Sequence, residues 1–163
     1  MFESVTFTNN ILETLGLPQI NRIESEPLNY EYESCTFYIG EQKFRSRRAK
    51  KTPTKEGYFV VFWVKDENKK NRPYTWEEAT EKLIVTVMDQ DRRGQFIFPK
   101  EVLLEKHIIS KAGSKGKMAM RVYPTWETEL NKTAKQTQKW QNNYFIDFTS
   151  GVNEKEISEK LLS

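Results

Sequence analysis

The sequence predicts an α/β (α+β) fold in which a mixed central β-sheet is flanked by helices. Two runs, YFVVFWVK at 58–65 and LIVTVMD at 83–89, are nearly continuous in β-formers, as expected of strands covered on both faces. Segments with helical spacing stand before, between and after the strand-like runs, and that mixed order places helices on the faces of a sheet. The length of 163 residues fits one core, and ten Phe, seven Tyr and four Trp let few side chains fill it. Residues 1–163 therefore read as a single domain, with no repeat, linker or low-complexity tract.

The elements follow in order. Residues 4–16 read as a helix: Ser4 can cap it, Val5, Ile11, Leu12 and Leu15 keep its spacing, and Gly16 and Pro18 stop it. Residues 19–33, with Pro27 and several Glu, look irregular. SCTFYIG at 34–40 is a strand, Gly40-Glu41 a turn, and 42–51 the returning strand with Phe44 inward. The run 58–65 is expected to be a central strand, ended by Asp66 to Asn68 and Pro73. Residues 76–82 read as a short helix capped by Thr75. Residues 83–89 form a buried strand, Arg92-Arg93-Gly94 a turn, and 95–98 the return. Pro99 opens a helix carrying Val102, Leu103 and Leu104. Gly113 to Gly116 make a loop before a strand at 117–123. Residues 131–148 read as one long helix with Ala134, Trp140, Tyr144 and Phe145 inward, and 153–162 as a short tail helix.

Composition removes several function classes. Cys35 is the sole cysteine, so neither an internal disulfide nor a thiolate zinc cluster can form, and it reads as a buried small hydrophobe. His107 is the sole histidine, sits beside Ile108 and Ile109, and reads as structural. The N-terminus lacks the basic and small-residue marks of a secretory signal, and no apolar run reaches the roughly 20 residues of a membrane span. A cytoplasmic protein is expected.

The formal charge of +3 is small, but its distribution is not even. Lys43, Arg45, Arg47, Arg48, Lys50, Lys51 and Lys55 crowd one hairpin with no acid among them. On an extended strand Lys43, Arg45 and Arg47 share one face, and Arg48 and Lys50 the other. Several cations along one strand can meet several phosphates together. The same pattern also serves a solvated edge strand that uses charge against aggregation. Lys111, Lys115 and Lys117 in a glycine-bearing loop, and Lys100 at a helix start, offer weaker anion contacts, with a plain loop the simpler reading of the first. Trp126 follows a proline turn and is the aromatic most available for stacking on bases, whereas Trp140 and Tyr144 look like a core stripe.

The blocks AKKTPTKEGYFVVFWVK (49–65), GQFIFPKEVLLEKHII (94–109), RVYPTW (121–126) and TQKWQNNYF (137–145) resemble the MepB family over most of residues 30–148. The resemblance implies a fold like the PD-(D/E)XK restriction-endonuclease core, a bacterial source beside a multidrug efflux pump and its repressor, and contact with nucleic acid. Arg121, in the RVYPTW block, is a further candidate contact. In the nuclease core, carboxylates on adjacent strands hold Mg²⁺ beside a lysine. Here Lys65 falls at the lysine position, but Trp63 stands at the second carboxylate position and Arg47 and Arg48 near the first. The catalytic site is therefore expected to be degenerate or absent.

Three readings remain open. The first is a nucleic-acid-binding protein of nuclease-like fold, without cofactor or catalysis, acting through the basic hairpin with Lys65, Lys100, Arg121 and Trp126. The second is a Mg²⁺-dependent nuclease with relocated carboxylates such as Asp89, Asp91 or Glu33, although Asp91 to Gly94 also makes a good turn. The third is an accessory protein whose partner is another protein, linked to efflux; membrane insertion is expected in none.

Overall fold

The computed structural model describes all residues, Met1–Ser163. Helix α1, Glu3–Thr14, buries Val5, Thr8, Ile11 and Leu12. Ser4 does not cap it: Phe2 holds that position, and Ser4 lies within the first turn, donating its N–H to Glu33 Oε1 at 2.9 Å. The segment expected to be irregular contains strand β1, Ile20–Ser25, and a single 3-10 turn, Tyr30–Tyr32. β1 exposes nearly every side chain, so no apolar alternation marks it, and a bulge between Asn21 and Glu24 breaks its register.

The expected hairpin forms from β2, Cys35–Ile39, and β3, Gln42–Arg48, with Phe37 opposite Phe44. A two-residue strand, β4, Lys50–Lys51, then leaves that sheet. The run 58–65 is not a central strand. It divides at Phe62 into β5, Tyr58–Val61, and β6, Trp63–Lys65, which pair in two smaller sheets. β6 pairs with β7, Asn71–Pro73. Residues 76–82 make one turn instead of a helix. There Glu78 Oε1 accepts the Thr75 N–H at 2.9 Å, and the chain goes straight into β8, Lys82–Asp89.

The hairpin from β8 to β9, Arg92–Pro99, turns at Gln90-Asp91, so Arg92 to Gly94 lie within the strand. α2, Lys100–Glu105, follows Pro99 as expected, and β10, Ala119–Val122, pairs with β5. Helix α3, Lys132–Gln141, is capped by Asn131, whose Oδ1 accepts the Ala134 N–H at 2.9 Å. It ends earlier than its spacing suggests. A 3-10 turn, Asn142–Tyr144, leads into β11, Phe145–Asp147, which adds an edge strand to the main sheet. α4, Glu154–Ile157, continues into a wider turn at Ser158–Leu162.

The central sheet has six strands in the order β1-β2-β3-β8-β9-β11. Only β3 and β8 are parallel, which makes the sheet mixed. One face packs Phe37, Phe44, Ile84 and Ile97 against Val5, Ile11 and Leu12 of α1 and against Ile157 and Leu161. The other packs Val85, Phe96 and Phe98 against Tyr58 and Val60 of β5, Val122 of β10, and Trp140. Strand alternation assigns Arg45 and Arg47 to the β5 side and Arg48 to the α1 side. No helix is long and apolar enough to cross a membrane.

Candidate nucleic-acid interface

The basic hairpin divides into interior arginines and exterior lysines. Arg47 is wholly buried between the main sheet and β5. Its guanidinium donates to Glu26 Oε1 at 2.8 Å, Ser46 O at 2.9 Å, Val61 O at 3.2 Å, Asn29 Oδ1 at 3.2 Å and the Tyr74 hydroxyl at 3.3 Å. Arg45 joins the same carboxylate, with Nε 3.2 Å from Glu26 Oε2, and lies 3.9 Å from the Tyr74 ring centroid. Burial works to raise the Glu26 carboxyl, but Arg47 and Arg45 outweigh it and hold it below its ordinary value. On the α1 side Arg48 donates to Glu33 Oε2 at 3.0 Å and approaches Glu3 at 3.4 Å. These three arginines are paired with acids outside the hairpin.

The lysines are more open. Lys50 lies 3.6 Å from Glu31 and over the Tyr32 ring, and Lys51 lies 3.6 Å from Asp89. Lys43 sits over the Tyr38 ring. Lys55 is exposed and in no ion pair. Of the remaining expected contacts, Lys65 donates to Asn71 Oδ1 at 2.7 Å, and Lys100 is drawn onto Trp76, 3.9 Å from its ring centroid and 3.3 Å from its carbonyl oxygen. Trp126 is not a free stacking surface. Its indole N–H donates to the Tyr58 hydroxyl at 3.2 Å, its ring packs edge-on against Phe145, and Arg92 covers it. Arg121 points at the chain itself, where its guanidinium donates to Thr52 Oγ1 at 2.8 Å and to the carbonyls of Lys55, Glu56 and Gly57.

Trp140 and Tyr144 stand against Phe98 as a core stripe, and Cys35 is buried, its thiol pushed up to about 11 chiefly by burial. His107 is exposed with Nδ1 3.2 Å from Ser114 Oγ. In the 111–117 loop the N–H groups of Lys111, Ser114 and Lys117 are spent on neighbouring carbonyls, as in a plain loop.

The candidate carboxylates are largely engaged within the chain. A cleft of about 500 Å³ lies between residues 51–58 and the β8–β9 turn, with Asp89, Asp91, Glu56 and Glu127 on its walls. Asp89 is engaged by the Tyr58 hydroxyl at 2.8 Å as well as by Lys51. Burial and the nearby Glu56 raise Glu127, which favours its neutral form. Glu33 is bound at the first turn of α1. No three His, Cys, Asp or Glu side chains converge to hold a metal ion.

One cationic surface escapes the hairpin reading. Lys132, Lys135 and Lys139 are exposed on α3, and their i, i+3, i+7 spacing aligns them on one face. None of them is in an ion pair. Lys106 extends the patch across Trp140, with Nζ 5.2 Å from the ring centroid. The signal in the sequence was the spacing of these lysines within an acid-free stretch from Leu130 to Ile146.

A family model described as MepB-like matches residues 26–147. Among solved structures, the crystal structure of MepB matches with a TM-score of 0.80 and 46% sequence identity, covering 90% of this chain and 97% of that one. A bacterial homing endonuclease matches with a TM-score of 0.44 and 11% identity over 86% of each chain, too distant to carry an argument. No curated protein matches the chain.

Proposed function

The chain belongs to the MepB-like family, and we propose that it binds nucleic acid through a cationic face centred on α3. The observation that carries this reading is the row of Lys132, Lys135 and Lys139, exposed and without a carboxylate partner. Between Lys106 and Ile146 the acids are Glu127 and Glu129 alone, against Lys106, Lys111, Lys115, Lys117, Arg121, Lys132, Lys135 and Lys139. A phosphate arriving at α3 displaces only water and counterions. One arriving at Lys50 or Lys51 competes with Glu31 or Asp89. From Lys132 to Lys139 the helix rises about 10 Å. Duplex DNA carries a charge every ~1.7 Å along its axis, so the row can meet several phosphates at once. Such contacts attract the backbone and carry no base information.

Fluorescence anisotropy with duplex DNA, single-stranded DNA and RNA, at several salt concentrations, tests the proposal. The variant Lys132→Ala, Lys135→Ala, Lys139→Ala keeps helix propensity while removing the charge. On duplex DNA its slope of log K against log salt should be shallower by about 2.7. The variant Lys50→Ala, Lys51→Ala should change the slope by less than about 1. An α3 variant that binds with the parental slope overturns the assignment.

A further inference from the structure

Resting on that reading, we infer that the loop 52–57 forms a second wall of the same surface and that Arg121 is the positioning residue that holds Lys55 in it. The loop stands across a groove of about 410 Å³ from the first turn of α3, with Thr54, Lys55 and Glu56 on one wall and Glu129, Asn131 and Thr133 on the other, so a polyanion must pass over its mouth and not enter between the two carboxylates. Lys55 is the cation this loop offers: it is exposed and has no ion pair. A phosphate backbone laid along α3 runs past this groove at the start of the helix, where Lys55 is the cation on the facing wall.

The placement of Lys55 is imposed from beneath. Arg121 on β10 sends its Nε to Glu56 O at 3.1 Å, and a terminal nitrogen to Thr52 Oγ1 at 2.8 Å, Glu56 O at 2.9 Å, Lys55 O at 3.3 Å and Gly57 O at 3.3 Å. With three N–H groups shared among them, one side chain thus holds the carbonyls of three successive loop residues, the Glu56 carbonyl most closely. These bonds engage the guanidinium with the loop, so that Arg121, although it also lines the groove, acts first by organising the loop. The loop's far end is locked as well. Gly57 has φ +79°, and a Cβ there would lie 2.6 Å from the Tyr123 ring and 2.9 Å from Val122 O. Arg121 and Gly57 together fix where the Lys55 backbone sits.

The test is the salt dependence of duplex binding. Lys55→Ala removes one phosphate contact and should make the slope shallower by about 0.9. Arg121→Ala should give the same loss, and the double variant no more than either alone, because both act through one ammonium group. Gly57→Ala changes no charge, yet it should reproduce the loss by displacing the loop; it carries the test if Arg121→Ala does not fold. Additive losses from Arg121→Ala and Lys55→Ala would show that Arg121 touches phosphate itself, and overturn the inference. So would a parental slope in Lys55→Ala or in folded Gly57→Ala. If the α3 triple variant also keeps the parental slope, the proposed interface itself has failed; if only the loop variants do, α3 stands without its second wall.

Discussion

Arg47 is the residue around which the interior of the hairpin is organised. A buried guanidinium is tolerated only when its charge and its donors are satisfied, and Glu26, with Asn29, Tyr74 and two carbonyls, does this. Replacing Glu26 with Gln keeps an oxygen acceptor but removes the counter-charge of both Arg47 and Arg45. The expected cost is about 3 kcal/mol of unfolding free energy, measured by urea titration at neutral pH. The pH dependence has a definite sign. Folding holds the Glu26 carboxyl below its ordinary value of 4.5, so its contribution is complete above that pH and is lost as pH falls through the folded value. The parent should lose stability in that acid range more steeply than Glu26→Gln. This cluster also explains what the sequence concealed about the site. The density of cations in 43–55 is legible, but the neutralising acids lie outside that stretch at Glu3, Glu26, Glu31, Glu33 and Asp89. Only the tertiary fold brings them in.

At the scale of elements, apolar pattern reveals burial and leaves pairing hidden. The hairpin β2–β3 and the strand β8 are legible because turn residues and apolar runs define them locally. The run 58–65 is not covered on both faces: it buries only Tyr58, Val60 and Phe62, as a strand packed on the main sheet by one side, and its continuous apolar run hides that place from the sequence. β1 escapes notice because INRIES buries almost nothing. β11 escapes because Phe145 and Ile146 continue the spacing of α3, while sheet pairing overrides the helix there. Gly94 records that pairing. It reads as a turn glycine, yet it sits within β9, where a Cβ would fall 2.4 Å from Phe145 Cζ and 3.2 Å from Ile146 O. The Phe145 ring is wedged against Phe96 and Trp126 and has little room to retreat. Gly94→Ala should therefore cost about 1–3 kcal/mol as an overpacked site. Amide exchange should rise first in β11, an edge strand whose only sheet partner is β9. Unchanged exchange in β11 would contradict this account of Gly94.

For the whole molecule, the place of a charge outweighs its sum. Formal charge is only +3, because a lysine-rich face at α3 coexists with acids on strands and turns elsewhere. Glu24 lies on β1, at one edge of the central sheet, and Glu41 in the β2–β3 turn. α3 lies over β9 through the contacts of Trp140 with Phe98. β1 and β9 are separated by three strands in the sheet order. At about 4.8 Å per strand, that places Glu24 roughly 19 Å from the strand beneath the cationic face. Glu41, between β2 and β3, lies two to three spacings from β9, roughly 10–14 Å. The Debye length at physiological salt is about 8 Å, so Glu24 is screened from a ligand bound at α3 and the influence of Glu41 is weakened. Glu24→Gln with Glu41→Gln raises the formal charge of +3 by two units and should shift duplex affinity by less than about twofold at that salt. The α3 triple substitution lowers the formal charge by three units and should weaken binding at least about tenfold, because its lysines lie against the phosphates. At 0.01 M salt the Debye length grows to about 30 Å, and the Glu24 and Glu41 substitutions should begin to tighten binding, chiefly through the association rate. If they tighten binding equally at both salt concentrations, the nucleic acid must run past the β1 edge, and a contact surface confined to α3 and its neighbours is ruled out.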